Sequence, residues 1–356
     1  MAHATRRRTL DPADLEPFEA WLAAVLGAEQ ARVRRVELLS GGAIGENWRI
    51  SVQVTGGDRT GLQDWVLRTD TPSPLVLSLD RAREFACLSA AHRVGVTVPE
   101  PIADCADPSI IGASFMLVGY AEGMAQARKI VRDPRVEEYG TILAERLGAE
   151  VARLHAIRPG QHGLDFLPQP ETSPAHQQVA DLRALLDTVS EPRPALEYVL
   201  AWLERNAPRD QRIVLCHGDY RTGNYTIDRG ILTGILDWEF AHWGDPHFDI
   251  GWFCARCWRF GADEREAGGI AAREAFYRGY NSAITYPLDP GIVPYWEIMA
   301  AARWAVIALL QGERTGPEGE PSIELMLTGL MAPEMEYDAL AGIAAFEETG
   351  RLVAHG

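Results

Sequence analysis

Apolar and polar positions along the chain follow two different rhythms. Between residues 34 and 69 the runs RRVELLS, NWRISVQV and LQDWVLRT are short, rich in β-branched and aromatic residues, and divided by Gly, Asp and Thr clusters. That pattern predicts strands joined by turns. Ahead of them, TLDPADLEPFEAWLAAVL spaces its apolar residues for one helical face behind polar capping types. LSLDRAREFACLSAAHRV predicts a second helix, with Leu79, Ala82, Ala86, Leu88 and Ala90 on one side. VTVPEPIADCA is held extended by Pro99 and Pro101, and ASFMLVGYAEG is a buried strand that ends in small residues.

From about residue 124 the rhythm turns helical. RVEEYGTILAERLGAEVARLHAI, QQVADLRALLDTV and RPALEYVLAWLERN come first. FDIGWFCARCW, EREAGGIAAREAFYRGYN, PYWEIMAAARWAVIALLQG and IELMLTGLMAPEMEYDALAGIAAFEE follow. Between these groups lies a strand–loop–strand island, CHGDYRTGNYTIDRGILTGILDWE, from Cys216 to Glu239. The order predicts an α+β protein with a β-rich part over residues 1–118 and a mainly helical part over 119–356.

Composition narrows the function. The 356 residues carry a net charge of −16, which disfavours nucleic acid as a partner. No run of eighteen apolar residues occurs, so no membrane span is expected and a cytoplasmic protein is the default. Five cysteines at irregular spacing do not form a disulfide framework. Cys254 and Cys257 form a CxxC with no second ligand pair, and are expected as small apolar residues on a core face.

The island carries the chemistry. Asp219, Asn224 and Asp237 stand where apolar strands meet turns. Pairing NYTID with LTGIL across the turn DRG would bring Asn224 and Asp237 together as hard oxygen ligands for Mg2+. Asp219, five residues before Asn224, could take the proton of a substrate hydroxyl for in-line attack on a phosphoryl group. Taken singly, the three residues would serve as an Asx-turn, a turn Asn and an N-cap.

His217, Asp219 and Asn224 match H-x-D-x-x-x-x-N, and Asp237 stands where a kinase-type metal Asp would. HGDYRTGN with GILDWEFAHWGDPHFDIGW resembles the aminoglycoside phosphotransferase family, in particular the branch also found fused to acyl-CoA dehydrogenases. The resemblance implies a bilobal protein-kinase-like fold and a small-molecule kinase using ATP (GTP is not excluded) and Mg2+. By it, Asp219 is the catalytic base, His217 braces the loop, and Asn224 and Asp237 hold magnesium on the phosphates. Gly41, Gly42 and Gly45 in LSGGAIGENWRI would by themselves make a hairpin turn, and the resemblance implies a lid over the phosphates. The resemblance also implies that Arg68, where many relatives have Lys, pairs with Glu84, and that backbone groups from about Val118 to Tyr120 meet the adenine edge.

His155 is expected as a packed core histidine and Asp245 as turn chemistry before Pro246. Asp249 has two readings, a hydrogen bond to the catalytic loop or an exposed helix-start Asp. The substrate is expected near Asp219, with Arg221, Glu239 and Trp296, and also Tyr220, Glu297, Arg303 and Trp304, as candidate contacts. It is a small molecule with a hydroxyl group: an aminoglycoside, a hydroxylated acyl compound or another alcohol. Two rival readings stay open, a catalytically silent nucleotide-binding module and a metal-dependent phosphohydrolase built on His and Asp.

Overall fold

The strands of the first structural unit are shaped by period-two burial. In the computed structural model, which describes residues 15–39, 47–69, 78–209, 212–314 and 323–349, β2 (Asn47–Thr55) buries every second side chain. Helix α1 (Glu16–Leu26) precedes β1 (Gln30–Leu38), and β2 is followed by β3 (Gly61–Thr69), α2 (Arg81–Arg93), β4 (Pro101–Cys105) and β5 (Phe115–Gly119). The strands form one antiparallel sheet in the order β1-β2-β3-β5-β4. Phe18 and Leu22 of α1 pack on Trp48, Ile50, Trp65 and Phe115 of that sheet. Leu15, at the N-cap of α1, makes no side-chain cap bond, so the expected capping is not seen there.

Helix α2 departs from its expected face. Ala82 is exposed, whereas Arg81 and Glu84 are buried with Cys87 and Leu88. Charge pairing, described below, takes precedence over the apolar pattern here. The first unit also includes Trp238–Phe240, where the Glu239 carbonyl accepts the Leu79 N–H at 2.7 Å.

The second unit begins with Val94–Thr97, resumes at Gly123 and omits only Trp238–Phe240 thereafter. Its elements are α3 (Ala127–Val131), α4 (Val136–Leu154), α5 (Pro174–Leu186), α6 (Pro194–Arg205), β6 (Val214–Cys216), β7 (Tyr225–Asp228), β8 (Ile231–Ile235), β9 (His242–Gly244), α7 (Pro246–Cys254), α8 (Arg273–Ser282), α9 (Val293–Gly312), α10 (Ile323–Gly329) and α11 (Ala332–Thr349). The hairpin expected across DRG is present: β7 pairs with β8, and the Leu236 N–H donates to the Asn224 carbonyl at 2.8 Å.

Helix α9 is the core of this unit, packed among α5, α6 and α11. Among the described residues it alone is long and apolar enough to cross a bilayer, and 78% of its most apolar window is buried inside the protein. Three of the expected helices are broken: FDIGWFCARCW leaves the α-helix after Cys254, Ala255 turns extended, and a 3-10 turn follows over Arg256–Trp258. The segment 264–281 becomes helical only at Arg273, because Gly268 and Gly269 adopt φ of 58° and 78°. The segment 323–348 divides into α10 and α11, with Pro333 in the first turn of the second.

Helices α4 and α8 approach closely through glycines. A Cβ on Gly279 would lie 1.9 Å from the Glu145 carbonyl oxygen, and one on Gly148 would lie 2.1 Å from that of Phe276. Both obstacles are backbone and cannot swing aside. Gly279→Ala is therefore expected to lower unfolding stability by about 3 kcal/mol, read by denaturant melts. Ile142→Ala, at a side chain 70% exposed on α4, should stay within about 0.5 kcal/mol of the parent.

Candidate active site

The loop that carries His217 and Asp219 hangs from one buried carboxylate. After β6 the chain turns through His217 and Gly218. Asp249, on α7, accepts the His217 N–H at 2.7 Å on Oδ2 and the Gly218 N–H at 2.9 Å on Oδ1. His155 Nε2 donates to the same Oδ2 at 3.1 Å, and the Tyr280 hydroxyl lies 3.1 Å from His155 Nδ1. Burial works to raise the Asp249 pKa, but the His155 hydrogen bond and the nearby His155 and His217 prevail and hold it below the usual carboxylate value. Of the two readings of Asp249, the loop-bonding one is correct. His155 is a core histidine, as expected, and the partner of that carboxylate as well.

His217 transmits the clamp. Its Nδ1 accepts the Asp219 N–H at 3.2 Å, and its Nε2 donates to the Leu236 carbonyl at 2.9 Å. Those two roles require a neutral ring with the proton on Nε2. Burial pushes the His217 pKa down, against the pull of Asp249 and Asp219.

Asp219 carries donors on both carboxylate oxygens. Oδ1 accepts Trp252 Nε1 at 2.7 Å and Arg221 Nε at 3.0 Å. Oδ2 accepts Asn224 Nδ2 at 2.5 Å and the same Arg221 Nε at 3.2 Å. Asn224 Nδ2 also donates to the Asp219 carbonyl at 3.0 Å, so the Asn224 amide nitrogen is turned toward Asp219 and its Oδ1 is the atom left for a ligand. Asp237 follows β8 with φ of 68°, a left-handed conformation uncommon outside Gly, Asn and Asp. It turns the chain off the strand one residue past the Leu236–Asn224 bond.

Behind Asp219, Arg221 and Arg303, both expected near the substrate, pack on Trp258 and Trp252, two rings that sequence reasoning had not assigned to the site. The Arg303 guanidinium stacks 4.5 Å from the Trp252 ring centroid and is buried. Burial lowers its pKa to about 10, opposed by Asp219 and Asp249, so it stays charged at neutral pH. Arg221 lies 4.4 Å over the Trp258 ring. Trp252 stood in the quoted FDIGW run, but its role depends on a helical offset of three from Asp249.

Trp296 and Glu297, two other expected contacts, are packed inside the protein. Trp296 is not a substrate contact: it is 1% exposed, packed edge-on to Phe248 and filling the space that the absent side chain of Gly251 leaves. Glu297 is held between Arg273 at 2.9 Å and Arg259 at 3.2 Å, and burial raises its pKa. Glu239 is buried and belongs to the first unit. Asp245 caps α7 by accepting the His247 N–H at 2.9 Å, the turn role expected of it.

In the first unit, Arg68 on β3 donates to Glu84 Oε1 at 2.6 Å. Arg81 binds the other oxygen of the same fully buried carboxylate, a partner the sequence reading had missed. Gly119 and Tyr120 spend their N–H groups on the Glu100 and Asp64 carbonyls, at 2.8 and 3.1 Å. The Tyr120 N–H is therefore not a donor for an adenine edge. Val118 is a buried sheet residue paired with Val66 and Pro101. Gly41, Gly42 and Gly45 lie outside the described residues.

The depressed His217 pKa sets a pH dependence. A histidine kept neutral in the fold contributes stability above its ordinary value of about 6.5, lost as pH falls below it. Asp249, also depressed, adds a second loss below about 4. Melting temperature should fall between pH 7 and pH 5, and His217→Gln should flatten that slope. An unchanged slope in the variant would assign the loss to other groups.

A family model described as the phosphotransferase enzyme family, APH, matches residues 35–283. Mouse acyl-CoA dehydrogenase family member 10 is 28% identical over 257 residues, 65% of this chain but only 22% of that protein. The acyl-CoA dehydrogenase link expected from the signature is thus present, and the chain spans under a quarter of that relative's length. A structure from Ralstonia eutropha JMP134, described as a candidate aminoglycoside phosphotransferase, superposes with TM-score 0.73 at 21% identity, covering 93% of this chain and 98% of that one. Spectinomycin phosphotransferase, solved with ADP and spectinomycin, gives TM-score 0.56 at 12% identity, covering 94% and 99%. These structures share the protein-kinase-like α+β fold. With the family model covering well over half of the residues, the chain belongs to the phosphotransferase enzyme family.

Proposed function

We propose that the chain transfers the γ-phosphoryl group of ATP to a hydroxyl of a small molecule, with Mg2+ and with Asp219 as base. The observation that carries this reading is the setting of Asp219: a carboxylate on a loop fixed by buried hydrogen bonds, with the Asn224 carboxamide beside it spending its nitrogen, not its oxygen, on Asp219. The acceptor hydroxyl gives its proton to Asp219 as its oxygen bonds to the γ-phosphorus. The bond to the bridging oxygen breaks, and its electron pair leaves with ADP.

Asn224 Oδ1 and the Asp237 carboxylate are hard oxygen donors, which fits Mg2+. When bound there, Mg2+ supplies neutralisation of phosphate charge. Arg68, oriented by Glu84 with help from Arg81, is the group of the first unit that would contact phosphate oxygens. A guanidinium does so with a planar fork where an ammonium offers a point charge.

A His-built phosphohydrolase is disfavoured because both ring nitrogens of His217 are already used within the protein. A silent binding module is disfavoured because Asp219, Asn224 and Asp237 are all present in the sequence.

Asp219→Asn is expected to lower turnover by about 10²–10⁴-fold while leaving Mg-ATP affinity within about twofold, read by coupled ADP release and calorimetry. Asn224→Ala should raise the Mg2+ concentration needed for half-maximal rate. Full turnover in Asp219→Asn would remove the base. ATP binding without turnover in the parent, across hydroxyl acceptors, would favour the silent module.

A further inference from the structure

Arg221 blocks the group that the reaction needs. A carboxylate offers about four acceptor positions, and on Asp219 the donors are Trp252 Nε1, Asn224 Nδ2 and a single Arg221 N–H shared between both oxygens. An acceptor hydroxyl has to take one of those positions. Trp252 and Asn224 are buried at 2% and 6% exposure, and their positions follow from α7 and the loop. The Arg221 side chain is 24% exposed and lies 4.4 Å over the Trp258 ring. Its NH1 would lie 2.9 Å from a Cβ on Gly223, so the bare backbone there makes room for the guanidinium. Arg221 is therefore the donor that yields.

When it yields, a partly buried guanidinium loses its counter-charge. An unpaired charge in such a place is costly. Glu297 is already held by Arg259 and Arg273, so its carboxylate does not supply that counter-charge. We infer that Arg221 exchanges the Asp219 carboxylate for an anionic group on the acceptor, which makes the substrate class a small alcohol bearing a carboxylate or phosphate near its hydroxyl. A polycationic acceptor would bring like charge against Arg221 and is selected against. The inference rests on the reading of Asp219 as base. The net charge of −16 works against long-range steering of an anion, so the selection is local, and added salt should speed anion capture.

The test uses matched acceptors with the full chain and Mg-ATP: glycerate and 3-hydroxybutyrate, their uncharged amides, ethanolamine and kanamycin. Binding is read by Trp fluorescence with a non-hydrolysable ATP analogue, and turnover by ADP release. The acids should bind about ten- to a hundredfold better than their amides, the range of one charge-assisted hydrogen bond. Arg221→Gln should erase that difference mainly through KM, and Arg221→Lys should restore part of it.

Three results overturn the proposal. One is an equal response to acid and amide, the absence of any response included. Another is a preference for ethanolamine or kanamycin. The third is an Arg221→Gln loss confined to kcat and equal for acids and amides, which would assign the guanidinium to the transferred phosphoryl group instead. Asp219→Asn separates the two levels of the account. Loss of turnover in that variant alongside a preference for cations keeps the base and removes the acceptor class, whereas retained turnover removes the base itself.

Discussion

A carboxylate sealed from water governs the second unit. Asp249 has no exposed surface, and a buried charge of this kind persists only where hydrogen bonds replace its hydration. Two backbone N–H groups and His155 supply them. The same bonds fix the turn that carries His217 and Asp219. Trp252, three residues on along α7, projects from the same face and reaches the Asp219 carboxylate. One short helix thus grips the loop at its backbone and at the Asp219 side chain.

That grip depends on packing further back. Every residue of α7 apart from His247 is buried. Gly251 lets α7 close on Trp296 of α9, where a Cβ would lie 2.5 Å from the Trp296 side chain. Arg303, two turns along α9 from Trp296, lies over the Trp252 ring. The apolar core and the polar site are therefore one mechanical assembly, and the large aromatic residues act as its spacers. In the first unit the device differs: two arginines converge on Glu84 and draw a charged face of α2 inward.

Much of this was legible because periodicity and short-range chemistry carried it. The alternation in NWRISVQV gave β2, and the turn residues of DRG gave the hairpin that sets Asn224 beside the start of the Asp237 turn. The Arg68–Glu84 pair was implied by the kinase-type resemblance. What stayed hidden depends on distant partners. Arg81 reads as an exposed helix residue until Glu84 is known to be buried. Trp296 and Trp252 are alike in sequence, yet one fills a gap over Gly251 and the other donates to Asp219. The helix expected over 264–281 failed for a local reason, two adjacent glycines whose left-handed backbone overrode a good helical pattern on either side.

The central claim is that Asp219 acts as a base in one direct displacement and not as a nucleophile. The stereochemical course at the γ-phosphorus tests this most directly, using ATP made chiral there with oxygen isotopes and analysing the phosphorylated acceptor. A single in-line transfer predicts inversion of configuration. Retention would mean two displacements through a phosphorylated protein side chain, and would contradict the account.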